Sequence, residues 1–330
     1  MKIKSILSRK RYICYKFIKM DVIKILIGLA LLIIGGDWLL KAAVGFSLRL
    51  RISKIVIGMT VVSFATSAPE LIVSLKSAIQ GHSDLAFGNV IGSNIANLAF
   101  VLGITVVLSD IKVTQSFFKT DWPIMMLASV LLFFFVSFDG VLVAFEGAAL
   151  FGALLVFLIY MLKFQKAAVV EDALDVAQDL PLWKALLFLT MGGIALWAGS
   201  ELLIFGAIGL AEYFNVGERI IGISIVSIGT SIPELSASVV AVLKKEKAIS
   251  IGNLLGSNIF NILAVMGVTA MVHPVHILDK RLIENDIFWM LGVSLLLLPL
   301  GWFFKKMTFG KLEGIVLLSV YGAFLYQMMS

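Results

Sequence analysis

Charged residues make up only 15% of this 330-residue chain, against about 25% in a soluble domain. A surface facing water cannot be built from that supply, which excludes a soluble enzyme. The single cysteine, Cys14, excludes an intramolecular disulfide framework. Three histidines (His82, His273 and His276) leave little for a transition-metal site. There is no Walker phosphate loop, which argues against a nucleotide-driven pump. Apolar residues, by contrast, account for 60% of the chain, with a mean hydropathy of +1.03. That excess must face lipid. The net charge of +6 does not read as nucleic-acid binding, because basic excess in a membrane protein collects in cytoplasmic loops.

A membrane-spanning helix takes about 20 residues, so the chain has room for roughly ten. Apolar runs bounded by charge, Gly or Pro place spans near 22–46, 55–79, 85–108, 122–138, 141–162, 183–211, 219–243, 248–271, 286–304 and 309–328. Pro123, Pro181, Pro274 and Pro299 punctuate them. The runs do not alternate as barrel strands do, and only helices otherwise satisfy the backbone in lipid. The expected fold is an all-α polytopic membrane protein of ten transmembrane helices. Residues 1–19 form a basic leader with seven Lys/Arg ahead of Met20. The apolar run from Val22 is too long for a signal-peptide core and lacks a small-residue cleavage site, so it reads as the first span. Residues 20–162 and 183–330 form two halves, joined by an acidic linker at 163–182 that includes Glu171, Asp172, Asp175 and Asp179.

The halves are related in sequence. Residues 58–103 match 222–267 at an offset of 164 without a gap, with 18 identities in 46 positions. Many of these are polar: Thr66/Thr230, Ser67/Ser231, Glu70/Glu234, Asn89/Asn253, Ser93/Ser257, Asn94/Asn258 and Asn97/Asn261. Duplicated core packing would preserve apolar character, not a polar constellation. Five spans per half is an odd number, so the halves should lie inverted in the bilayer. Charge supports this: Gln80-Gly81-His82-Ser83 aligns with Lys244-Lys245-Glu246-Lys247, as the positive-inside rule predicts for inverted repeats. Placing the basic loops in the cytoplasm puts 14 Lys/Arg inside and only Arg219, Lys280 and Arg281 outside. Both termini are then outside, which conflicts with the basic leader; Met20 as the start residue removes the conflict.

A carboxylate inside a membrane span marks a functional candidate, and Glu70 and Glu234 lie at the same depth in spans two and seven. Ser63, Thr66, Ser67 and Ser74 share the helix face of Glu70, and Ser227, Thr230, Ser231 and Ser238 that of Glu234. Pro69 and Pro233 cannot donate a backbone hydrogen bond, which frees the carbonyls of Ala65 and Gly229. Interrupted helices at matching positions of two halves point to a midplane transport site. Asn89, Ser93 and Asn97, with Asn253, Ser257 and Asn261, bring amides and hydroxyls from the following helices. Gly88, Gly92, Gly252 and Gly256 keep those helices thin enough for close approach. Two carboxylates with neutral oxygens suit Ca²⁺ or Na⁺; Mg²⁺ fits less well because it prefers to keep its waters. Two negative charges balance one Ca²⁺ or two Na⁺, so these ions should compete.

Asp37 and Glu201 also align at the offset, in the first span of each half. They read either as ion-access residues or as buried structural pairs. Lys41 and Lys76 stand near span ends, where snorkelling accounts for them.

The paired (A/G)-T-S-x-P-E and G-N-x-x-G-S-N-I-x-N motifs resemble those of the sodium/calcium exchanger family, within the cation/Ca²⁺ exchanger superfamily. The resemblance covers the chain from about residue 20 and implies Ca²⁺ extrusion coupled to Na⁺ entry by alternating access. It implies a central ion site of Glu70, Asn97, Glu234 and Asn261. Outer ligands would be Ala65, Thr66, Ser67, Ser93, Gly229, Thr230, Ser231 and Ser257. The threonine before Ser-x-Pro-Glu resembles the sodium-coupled branch more than the proton-coupled one. One departure stands out: where some members carry Asp, this chain has Asn261, so the site holds two acids and not three. A Ca²⁺/H⁺ exchanger on the same scaffold is the close rival. A membrane protease lacks its sequence mark here, since no Ser/His pair, paired membrane aspartates or HExxH is evident. No enzyme activity, cofactor, nucleotide or nucleic-acid partner is expected; the partners are the transported ions, with H⁺ as the alternative, and the bilayer. The short loops point to the inner membrane of a prokaryote.

Overall fold

The computed structural model describes residues 2–164, 180–214, 227–303 and 307–329. Its helices in chain order are α1 (Lys2–Leu50), α2 (Lys54–Thr66), α3 (Ala68–Ile79), α4 (Ser83–Leu108), α5 (Phe117–Val136) and α6 (Ala144–Phe164). Then come α7 (Leu182–Tyr213), a single turn at Ser227–Gly229, α8 (Ile232–Leu243), α9 (Lys247–Val272), α10 (Leu282–Trp302) and α11 (Lys311–Met329). Among the described residues, seven helices are long and apolar enough to cross a membrane, or eight if the bent pair α2 and α3 is one span. The expected first span continues α1, which also takes in the basic stretch 2–19. Most of the acidic linker (165–179) and residues 215–226, which include the start of the expected seventh span at 219, lie outside the described residues.

The helix breaks fall where proline places them. α2 and α3 meet at 44°, and Ser67 between them leaves helical geometry at φ −85°, ψ 1°. Pro69 then lies in the first turn of α3, where backbone N–H groups have no intrahelical partner to lose. Ser231 (φ −90°, ψ 5°) and Pro233 repeat this before α8. The turns after α3 and α8 also match: Gly81 (φ 82°) and Lys245 (φ 65°) both take the left-handed conformation, which a glycine adopts freely and a lysine does not. Asn97 and Asn261 stand in the first two positions of wide π turns, at Ala96–Val101 in α4 and Asn261–Met266 in α9.

α4 and α9 form the centre, each 78% buried over its apolar stretch, against 28–33% in the other spans. The sequence expectation of close approach holds for α9. A Cβ on Gly252 would stand 2.4 Å from Ile55 O, and one on Gly256 2.5 Å from Met59 Cα. Among the described residues nothing lies within 4 Å of a Cβ built on Gly92, and one on Gly88 meets Leu282 at 3.5 Å; the chain expected to face them, 219–223, lies outside the described residues. Outside this centre α1 crosses α7, with Gly28 on Gly199 and Gly35 on Gly192. Gly103 meets Gly314 between α4 and α11, and Gly147 meets Gly267 between α6 and α9.

The loops add an element that apolar runs do not foretell. Four two-residue strands, β1 (Ile111–Lys112), β2 (Val141–Leu142), β3 (Val275–His276) and β4 (Thr308–Phe309), pair β1 with β4 and β2 with β3, both antiparallel. They tie connections that would otherwise leave backbone groups unpaired. The β1–β4 end carries lysines: Lys54 pairs with Glu246 at 2.8 Å, Lys247 Nζ donates to Asp110 O at 2.7 Å, and Lys244 pairs with Asp37. At the other end Asp84 accepts from the Leu278 N–H at 2.7 Å, and His82, His273 and His276 line a cleft of about 530 Å³.

A methyl group at the α1–α7 crossing has nowhere to go. Gly199→Ala puts a Cβ 2.9 Å from Gly28 O and should destabilise the detergent-solubilised protein by about 1–3 kcal/mol, as overpacking does. Gly152→Ala, with nothing within 4 Å, should leave the melting temperature unchanged. Equal melting temperatures for the two variants would contradict this packing.

Candidate cation site

The two breaks bring their carboxylates into the interior. Glu70 stands in the first turn of α3 and Glu234 in the first turn of α8, where the N-terminal helix dipole favours negative charge. Both are fully buried and lie within electrostatic reach of each other. Glu234 sits beside Thr66, Ser67 and Ser257, contributed by α2, the α2–α3 junction and α9.

The surrounding side chains tie the two halves together in matching pairs. Thr66 Oγ1 and Ser257 Oγ are 3.2 Å apart, and Ser93 Oγ and Thr230 Oγ1 are also 3.2 Å apart. Asn89 Nδ2 donates to Ser74 Oγ at 3.0 Å, and Asn253 Nδ2 to Ser238 Oγ at 3.1 Å. These last two asparagines therefore brace neighbouring helices. At the α4–α9 crossing, Asn94 Nδ2 donates to Asn258 O (3.3 Å) and Asn258 Nδ2 donates back to Asn94 O (3.1 Å). Asn94 Oδ1 also accepts from Asn261 Nδ2 at 3.2 Å. Asn94 and Asn258 were not among the candidate site residues, although both belong to the polar identities of the repeat.

What distinguishes the centre is what lacks a partner. Among the described residues, both carboxylate oxygens of Glu70 and of Glu234, both amide atoms of Asn97, Ser67 Oγ, Ser231 Oγ and Asn261 Oδ1 are buried without a hydrogen bond. Each neutral group of this kind costs about 1–3 kcal/mol, and a buried unpaired carboxylate costs more. Three of the pairs, 67/231, 70/234 and 97/261, are related by the repeat offset. Oxygens of this kind, with two formal negative charges between them, are a donor set for hard cations. Among the described residues no group of three or more His, Cys, Asp or Glu is placed to hold a metal ion, so the three histidines of the surface cleft do not form such a centre.

The carbonyls freed by the prolines turn toward α7. Ala65 O lies 4.0 Å from where a Cβ on Gly193 would stand. Gly229 O accepts from Ser200 Oγ at 2.8 Å; the position matching Ser200 in the first half is Gly36, which has no hydroxyl to offer. Sequence pattern gave no sign of Ser200. Asp37 is not at the centre: it pairs with Lys41 at 2.8 Å and with Lys244, and Glu201 is half-buried on α7.

Comparison with known proteins bears on what this centre carries. The family profile described as "Sodium/calcium exchanger protein" matches residues 21–163 and 184–329. The protein named CaxA from Alkalimonas amylolytica is 36% identical over 93% of this chain and 98% of its own length. Sodium/calcium exchanger MaX1 from Methanosarcina acetivorans is 30% identical over 93% of this chain and 98% of its own. Among solved structures, the sodium-calcium exchanger NCX_Mj soaked with 2.5 mM Na⁺ and 0.1 mM Ca²⁺ superimposes with a TM-score of 0.77 at 26% identity, covering 92% of this chain and 96% of that one.

The crossing network yields a stability test. Asn94→Leu removes the donor to Asn258 O and the acceptor for Asn261 Nδ2, leaving buried groups unsatisfied. It should destabilise the protein by about 2 kcal/mol in detergent melting, more than Ile72→Leu at an exposed position of α3. An unchanged melting temperature would remove Asn94 from the structural core.

Proposed function

This chain belongs to the sodium/calcium exchanger family, and from that membership we propose that it is a Na⁺/Ca²⁺ antiporter working by alternating access. The family is one of exchangers, and the chain is an integral multi-pass membrane protein that exchanges cations including Ca²⁺. The observation that carries the finer reading is the pair of buried, unpartnered carboxylates, Glu70 and Glu234. Their two charges balance either one Ca²⁺ or two Na⁺. Bound ions of either kind would satisfy the same oxygens, so each species displaces the other, and that competition is the physical core of antiport.

In this reading Glu70 and Glu234 bind the ion directly, Asn97 and Asn261 complete the central ring, and Thr66, Ser67, Ser93, Thr230, Ser231 and Ser257 supply hydroxyl oxygens. The Ala65 carbonyl contributes where α2 ends; the Gly229 carbonyl does so with one lone pair already engaged by Ser200. Asn261 in place of an acid leaves only two charges to neutralise.

The scaffold of the proposal is ten spans in two inverted halves. Contacts that recur at the repeat offset support it: Asn94 with Asn258, Thr66–Ser257 with Ser93–Thr230, and Gly28–Gly199 with Gly35–Gly192. A two-fold relation within the membrane plane turns each of these into its partner. The lysine-rich end then faces the cytoplasm and the histidine-bearing end the outside, with both termini outside, in a prokaryotic inner membrane. H⁺ is the alternative coupling ion, since a buried carboxylate can also be neutralised by a proton.

In inverted vesicles an imposed Na⁺ gradient should drive radiocalcium uptake, and a pH gradient alone should not. Glu70→Gln and Glu234→Gln should each abolish that uptake. Full activity in either variant, or uptake driven by the pH gradient alone, would contradict the proposal. Cysteines introduced at Lys245 and His82 should react with an impermeant reagent from opposite faces; labelling from one face would defeat the inverted arrangement.

A further inference from the structure

The α1–α7 pair is docked unequally on the two halves. α1 lies along α8: Ser236 Oγ donates to Leu32 O at 2.7 Å, a Cβ on Gly36 would stand 3.0 Å from Val240 Cγ2, and Asp37 pairs with Lys244. Shifted by the repeat offset, the same contact would lay α7 along α3, with Leu196 opposite Ile72, Ser200 opposite Lys76 and Glu201 opposite Gln80. That contact is not made. Among the described residues no hydrogen bond or ion pair joins α7 to α3. Ile72 is 58% exposed and Lys76 is exposed, while their counterparts Ser236 and Val240 are half-buried under α1. Asp37 has two cations, and Glu201 has no ion pair among the described residues.

We propose that Glu201 and Lys76 form the second position of a two-position latch whose first position is Asp37–Lys244. The inference rests on the alternating-access reading above. In the arrangement described, Asp37–Lys244 holds α1 on α8 and closes the lysine-rich end. In the opposite-facing arrangement the α1–α7 pair shifts together, Asp37 leaves Lys244, and Glu201 meets Lys76 on α3, covering Ile72 and closing the histidine-bearing end. The pair moves as one body because its helices touch backbone to backbone at four glycines, Gly28, Gly35, Gly192 and Gly199. Lys76 stands one helical turn, about 5.4 Å, before Gln80, within the span of a lysine's flexible four-carbon stem. Partly exposed ion pairs are weak, so exchanging one for another keeps the two arrangements near balance, as a switching element requires.

The test uses the full chain carrying Cys14→Ser in membrane vesicles. The double variant Lys76→Cys/Glu201→Cys should be bridged by a bifunctional methanethiosulfonate reagent as long as a Lys–Glu pair, to an extent that changes with the Na⁺ and Ca²⁺ imposed; transport should stop as the bridge forms, and reduction should restore transport. Asp37→Cys/Lys244→Cys should cross-link under the opposite ion conditions. Absence of the 76–201 cross-link in every ion condition overturns the latch. As a second measurement, Lys76→Glu should slow exchange roughly tenfold, the order of a switch-element coupling, and adding Glu201→Lys should recover it; no recovery also overturns the latch. Cross-linking reports helix proximity whichever ion is carried, so its failure is distinct from failure of the Na⁺/Ca²⁺ reading, which the gradient-driven flux tests.

Discussion

Two carboxylates buried within electrostatic reach of each other, with no hydrogen-bond partner among the described residues, are an expensive arrangement, and the architecture of this protein is organised around keeping it. A chain assembled for stability alone would replace Glu70 and Glu234 with apolar residues, since an uncompensated buried charge costs several kcal/mol. Here the charges are retained at the centre, each at the head of a short helix and each flanked by unpartnered serine and asparagine oxygens. In the proposed reading a cation supplies what the protein withholds, satisfying the carboxylates and the neutral oxygens at once, so that the energetic penalty of the site becomes the source of its affinity.

The rest of the fold positions that centre. Proline breaks start α3 and α8 at the right depth, and the dipoles of those helices point at the acids they carry. The reciprocal Asn94–Asn258 bonds fix how α4 and α9 cross, which sets where Asn97 and Asn261 stand. Thr66–Ser257 and Ser93–Thr230 then join each broken helix to the central helix of the other half. Glycine contacts let α1 and α7 form one outer body that touches the centre and yet packs against the two halves differently. In the proposed latch, rigid positioning and the moving cover lie in different helices.

Much of this was legible in the sequence. That the chain is an all-helical polytopic membrane protein follows from its apolar runs, because lipid leaves the backbone no alternative. The acids and their serine, threonine and asparagine neighbours stand out because polar residues repeated at one offset inside apolar spans have no packing explanation. What was not legible depends on contacts between distant residues. Periodicity cannot show that Ser200 reaches the Gly229 carbonyl, or that Asn89 and Asn253 brace serines. The two-residue strands are too short to leave a pattern. Asp37, open at first between ion access and structural pairing, stands in an ion pair at one end of the molecule, with Lys244, which the sequence places 207 positions away.

The central claim is that Na⁺ and Ca²⁺ bind in turn to one buried pair of carboxylates. Equilibrium Ca²⁺ binding to the purified protein, titrated calorimetrically at a series of fixed Na⁺ concentrations, tests it most directly. The account predicts that the apparent Kd for Ca²⁺ rises with Na⁺ more steeply than in proportion, as displacement of one divalent ion by more than one monovalent ion requires. A Ca²⁺ affinity indifferent to Na⁺ would contradict it.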